Sequence, residues 1–247
     1  MTEWLVRLQG EKLDLEEASF HFRAADAEVR PGDDGYCLAS SEFSSMTESG
    51  EVLKRANELL NVINGILKVT FPNHQPVSAD GIVVRVDEAG KRDRYVHIAG
   101  TLGVRVRMRA NLTVIKPDGT AEPAAQHPTQ AASWMAIARR NADVTHVLGL
   151  FAQPTLVRLY NILDVVAGDV GGEKALINMG WAAKGEIKRF KQTVDSMEAA
   201  GDDARHGKKN FKAPKKPMSL REAQNLVGAI IRGWLQIKPV DSDANEG

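Results

Sequence analysis

Apolar and polar positions change their period three times along the chain. Trp4-Leu5-Val6-Arg7-Leu8, Phe20-His21-Phe22, Ala27-Glu28-Val29-Arg30 and Tyr36-Cys37-Leu38-Ala39 are short β-favouring runs separated by Gly, Pro and Asp. They predict antiparallel strands. Arg30-Pro31-Gly32-Asp33-Asp34-Gly35 carries the turn chemistry that closes a hairpin, because Pro presets φ while Gly and Asp accept unusual dihedrals. Between Glu48 and Val69 the period becomes helical: Val52, Leu53, Ala56, Leu59, Leu60, Ile63, Ile66 and Leu67 recur at three- and four-residue intervals. Strand periodicity then returns in Ile82 to Val86, Arg94 to Ile98 and Val104 to Val114. The last run alternates strictly, with Val104, Val106, Met108, Ala110, Leu112 and Val114 on one face and Arg105, Arg107, Arg109, Asn111 and Thr113 on the other.

After Lys116-Pro117-Asp118-Gly119-Thr120-Ala121-Glu122-Pro123 the pattern stays helical. Helices are predicted over 129–139, 142–151, 155–167, 184–197 and 220–235. Ser219-Leu220-Arg221-Glu222 is a capping box with Pro217 just outside it, and Gly168-Asp169-Val170-Gly171-Gly172 is a helix stop. The expected fold class is α+β: an N-terminal antiparallel β-rich half (1–118) with one long amphipathic helix, and a C-terminal all-α bundle (124–238). The acidic, polar stretch 239–247 reads as a disordered tail.

Composition narrows the function classes. The 247 residues, 43% of them apolar, can bury an ordinary core. The longest apolar stretches fall short of the roughly 20 residues that span a bilayer. The N-terminus lacks a basic n-region and an apolar h-region, so a cytoplasmic protein without membrane contact is expected. Cys37 is the single cysteine, which excludes an internal disulfide and any multi-cysteine metal site. Between Tyr36 and Leu38 it reads as a buried strand thiol. With 32 basic and 32 acidic residues the whole molecule is no generic polyanion binder. There is no Walker-type loop, Gly-x-Gly-x-x-Gly, Gly-x-Ser-x-Gly elbow or His-Glu-x-x-His helix. Nothing in the residues calls for a cofactor or a metal.

Three constellations could carry chemistry. Gly201 to Lys216 joins Arg205 and His206 to Lys208, Lys209 and Lys212 at an inter-helix connection. Arg205 could hold a phosphate while His206 acts as general acid or base; the plainer alternative is a solvated loop in which Asp202 or Asp203 pairs with Arg205. A second pair is Arg140 and His146. On one regular helix six residues advance about 240° beyond a full turn, which would hold them well apart, so the alternative is a helix start with an incidental His. The third is the stripe Arg105, Arg107 and Arg109, with Arg85 on a neighbouring strand, which could meet phosphates or an acidic protein partner. No aromatic interleaves it to stack bases.

The stretch from Leu159 to Leu235 resembles the C-terminal region of uncharacterised bacterial proteins and, through it, an HEPN-type helical bundle. The resemblance rests on Leu159-Tyr160-Asn161-Ile162-Leu163, Gly180-Trp181, Phe190-Lys191-Gln192-Thr193, Gly201 to Gly207 and Pro217 to Ala223. It implies membership of a class that includes abortive-infection and toxin ribonucleases, in which an Arg-x(4–6)-His motif cuts RNA without metal across a homodimer. The literal match is Arg140-Asn141 to His146, whereas Arg205 and His206 are adjacent in the segment that carries the resemblance. The expectation is a bacterial accessory or antiviral-defence protein whose helical half binds or cleaves RNA while the strand-rich half senses a ligand or partner. The alternative is a non-catalytic interaction protein that dimerises through its helices.

Overall fold

The structure, a computed structural model, describes residues 2–23, 25–97, 113–115, 121–123, 130–201 and 212–239, the two short middle pieces as backbone only. It is α+β: a five-stranded antiparallel sheet followed by a helical half. Strand β1 (Glu3–Gln9) leads to helix α1 (Lys12–His21), the hairpin of β2 (Ala27–Gly32) and β3 (Gly35–Ser40), a 3-10 turn (Ser41–Ser45) and the long helix α2 (Ser49–Thr70). Then come β4 (Ser78–Val86), β5 (Arg92–Val96) and a two-stranded ribbon, β6 (Thr113–Ile115) with β7 (Ala121–Pro123). The helical half holds α3 (Ala131–Arg140), α4 (Ala142–Ala152), α5 (Leu156–Val170), α6 (Glu173–Asn178), α7 (Lys184–Asp195), α8 (Met197–Ala200) and α9 (Leu220–Ile237).

By its contacts the chain divides into two units, 1–60 with 75–132 and 61–74 with 133–247, the division falling within α2. In the first unit the sheet order is β2-β3-β1-β4-β5, every neighbour antiparallel. Alternation buries Trp4, Val6 and Leu8 of β1 together with Val29, Leu38 and Val83. The same face carries Arg85, stacked 5.6 Å over the Trp4 ring, while the Trp4 indole donates to the Met46 carbonyl. Arg85 thus lies on the same side of the sheet as Trp4. In the second unit α5 packs against α4, α6, α7 and α9. Its core includes Phe151, Leu159, Ile162, Leu163, Phe190 and Trp234.

Where the sequence predicted a strand at Phe20-His21-Phe22, the chain is helical through His21. Helix α1 turns Asp14, Leu15, Ala18, Ser19 and His21 inward and leaves Phe20 exposed, so its buried side is half polar. An apolar period could not reveal it. Helix α2 follows its predicted stripe, with Val52, Ala56, Leu59, Leu60, Ile63, Ile66 and Leu67 all buried. The stripe Arg105, Arg107 and Arg109 lies outside the described residues, as do Arg205, His206, Lys208 and Lys209 and the tail from 240 on.

Candidate functional site

The second face of the sheet is unlike the first. The register aligns Arg30 with Cys37 and Arg7 in one row, Ala39 with Leu5, Val84 and Arg94 in the next, and Glu3 with Val86 and Arg92 in the third. Side chains two apart on a strand share a face. Leu5, Val84 and Val86 thus form an apolar floor with guanidinium groups from β1, β2 and β5 around it. These residues line a half-enclosed cavity of about 400 Å³.

Its roof comes from the β2–β3 hairpin. Gly32-Asp33-Asp34-Gly35 turns the chain, and Gly35 takes φ of +116°, a region closed to most side chains. From this tip Asp33 pairs with Arg92, while Asp34 pairs with Arg94 at 2.5 Å and lies 3.9 Å from Arg7. Since β5 is the edge strand farthest from β2, these pairs cross the whole face. The lining carries four guanidinium groups, Arg7, Arg30, Arg92 and Arg94, against three carboxylates, Glu3, Asp33 and Asp34.

The carboxylates differ in how firmly they are placed. Arg7 also pairs with Asp80, and Arg30 pairs with Glu3 at 2.5 Å and Glu28 at 3.2 Å, all from residues held within strands. Side-chain exposure is 31% for Arg7 and 15% for Asp80, but 49% for Arg94, 58% for Asp34 and 70% for Asp33. Ion pairs this exposed are worth about 0–1 kcal/mol. The Arg7–Asp80 pair is the least exposed, the Arg30 pairs with Glu3 and Glu28 come next, and the pairs made by the tip are the most exposed.

Cys37 sits in the floor, buried, its thiol donating to the Arg30 carbonyl at 3.6 Å. Burial pushes its pKa up, outweighing the nearby Arg30 charge. A thiol held protonated is a poor nucleophile, and its place is that of a buried strand residue.

The helical half places the other sequence candidates as follows. Arg140 is the last residue of α3 and His146 lies in α4, both exposed. Between them Asn141 caps α4, accepting from the Val144 amide at 3.1 Å. Arg140 and His146 therefore belong to two helices, and neither lines the groove. Lys212 is exposed at the end of the segment that holds Arg205 and His206. The stem just beyond Lys212 is clamped to α7. Arg189 donates to the carbonyls of Lys216 and Pro217 at 2.9 and 3.2 Å and to Glu222 at 2.8 Å, and Thr193 accepts from the Met218 amide at 3.0 Å.

No sequence motif marks the groove, because its arginines come from separate strands. The available signal was the period of two in Glu3-Trp4-Leu5-Val6-Arg7, Glu28-Val29-Arg30 and Arg92-Asp93-Arg94, which sets charges on one face, and the Asp-Asp turn between strands. Comparison with known proteins finds no matching family model, no similar curated protein and no similar solved structure.

Proposed function

We propose that the protein is a ligand-binding protein whose β-sheet groove recognises an anionic molecule. One observation carries this reading: guanidinium groups from three strands surround an apolar floor in a cavity of about 400 Å³. That volume falls in the range of roughly 300–1,000 Å³ common to small-molecule sites. Arginine is the side chain best suited to the task, since its planar fork meets carboxylate or phosphate bidentately and stays charged. The strands set the four arginines on one face, and the floor gives the uncharged part of a ligand an apolar surface. This fits the expectation that the strand-rich half senses a ligand.

Thermal unfolding with pyrophosphate, phosphorylated nucleosides and di- and tricarboxylates, one at a time, tests it. A bound ligand raises the melting temperature by mass action. At least one anion should do so in the wild type and lose its effect in Arg92→Ala/Arg94→Ala. An equal rise in both proteins would remove the groove from the account.

A second reading concerns the helical half: RNA binding or metal-independent cleavage through Arg205 and His206, with Lys208, Lys209 and Lys212 on the phosphates, in a homodimer of the HEPN type. What favours it is the Arg189 clamp, which ties the stem of that basic segment to α7 and α9. In this reading His206 would move the 2′-hydroxyl proton and Arg205 would neutralise the charge developing on phosphorus.

A further inference from the structure

We infer that Asp33 and Asp34 are a built-in substitute for the ligand: the hairpin tip occupies the groove arginines until two neighbouring phosphate groups replace its two carboxylates. The inference rests on the groove being an anion site and adds the ligand class and the means by which the site is kept closed.

Three features point to it. The arginines around the floor differ in partner, since Arg30 is held by Glu3 and Glu28 from within strands, whereas Arg92 and Arg94 are held by the tip. The tip pairs are the more exposed, so they exchange with a competitor at little cost. The two carboxylates are also adjacent in sequence, and consecutive Cα atoms lie about 3.8 Å apart. Arg92, Arg94 and Arg7 therefore already face two negative charges carried by neighbouring residues.

A diphosphate presents the same pair of charges with more acceptor oxygens, and each guanidinium can bind it through two parallel hydrogen bonds. Asp33 and Asp34 supply one carboxylate each and must share them among three arginines. The chemistry that fits is a molecule with a diphosphate group and an apolar or ring portion, the latter resting on Leu5, Val84 and Val86. Nucleoside diphosphates have this form. Binding is noncovalent and displaces the tip, so a Gly at each end of Asp33-Asp34 serves the motion as well as the turn.

Calorimetric titration of the full chain with ADP and with inorganic pyrophosphate tests the inference, in the wild type, Asp33→Asn/Asp34→Asn and Arg92→Ala/Arg94→Ala. Asn keeps the shape and turn preference of Asp while removing its charge, and unchanged melting temperatures will show that each variant folds. Removing the internal competitor should tighten pyrophosphate binding about tenfold, or about 1.4 kcal/mol. ADP should bind tighter than pyrophosphate through the floor. Binding seen only in the Asn variant supports the inference too. If the wild type binds and the Asn variant binds equally or more weakly, the tip is no competitor and the inference fails while the groove stands. If neither binds, or the Arg92→Ala/Arg94→Ala protein binds as well as the wild type, the groove reading itself fails.

Discussion

At the scale of single residues the clearest constraint is Gly65 of α2. A Cβ there would collide with the backbone of Leu148 in α4, so this helix pair approaches backbone to backbone. Overpacking costs roughly 1–3 kcal/mol, and a rigid carbonyl cannot yield as a side chain can. Gly65→Ala should therefore lower unfolding stability in denaturant by about 3 kcal/mol. Gly149 of α4 has no atom within 4 Å of its would-be Cβ, and Gly149→Ala should be neutral or stabilising by up to about 1 kcal/mol. Equal effects at the two positions would contradict the packing described here.

Two carboxylates should make the helical half sensitive to acid. The Ser219 amide, with Arg189 and the Ser219 hydroxyl, holds Glu222 down at a pKa of about 2, against an ordinary 4.5. Asp169 is also held below its ordinary 3.8, first by Lys238 and then by the Trp234 indole. A depressed carboxylate adds stability that is full above its unfolded pKa and lost as pH falls through the folded value. The melting temperature should then drop as pH goes from 4.5 towards 2, and less steeply in Glu222→Gln. Parallel curves for the two proteins would show that Glu222 takes no part.

At the scale of elements, what was readable was what repeats locally. The stripe of α2, the capping box of α9 and the Pro-Gly-Asp-Asp-Gly hairpin each lie within one short segment, and each appears where the period or turn chemistry puts it. The stop at Gly168 to Gly172 is likewise observed, with Gly171 at φ +92° and the Gly172 amide returning to the Ala167 carbonyl. Helix α1 escaped because Asp14, Ser19 and His21 face inward and Phe20 faces out, which cancels any amphipathic period. The α9 cap can be measured: Ser219→Ala should cost about 1 kcal/mol in denaturant unfolding. No loss would mean that Glu222 and Arg189 hold the helix start without the hydroxyl.

At the scale of the whole molecule the α+β order, sheet first and helices after, was legible because the period of two, interrupted by the stripe of α2, gives way for good to 3.6 after residue 123. The groove was not. Arg7, Arg30, Arg92 and Arg94 are brought into one site only by the order β2-β3-β1-β4-β5, and strand order is a tertiary choice that local patterns do not encode. Charges that cluster along the chain, such as Lys208, Lys209 and Lys212, are visible in the sequence, whereas charges gathered from separate strands are not. The RNA reading of the helical half stands apart from the groove and is tested apart from it. On that reading, purified protein incubated with mixed cellular RNA in EDTA should cut it, and His206→Ala should abolish cutting while His146→Ala does not. Cleavage that survives His206→Ala would remove that residue from the mechanism, and loss in His146→Ala would transfer the role to the Arg140 and His146 pair.

The most direct test of the groove is to watch the backbone amides by NMR as pyrophosphate is added to the full chain. The largest shifts should fall at Gly32 to Tyr36 and Arg92 to Arg94, saturating together, with little change in α5 or α9. Shifts confined to the helical half, or spread evenly over the surface lysines, would contradict it.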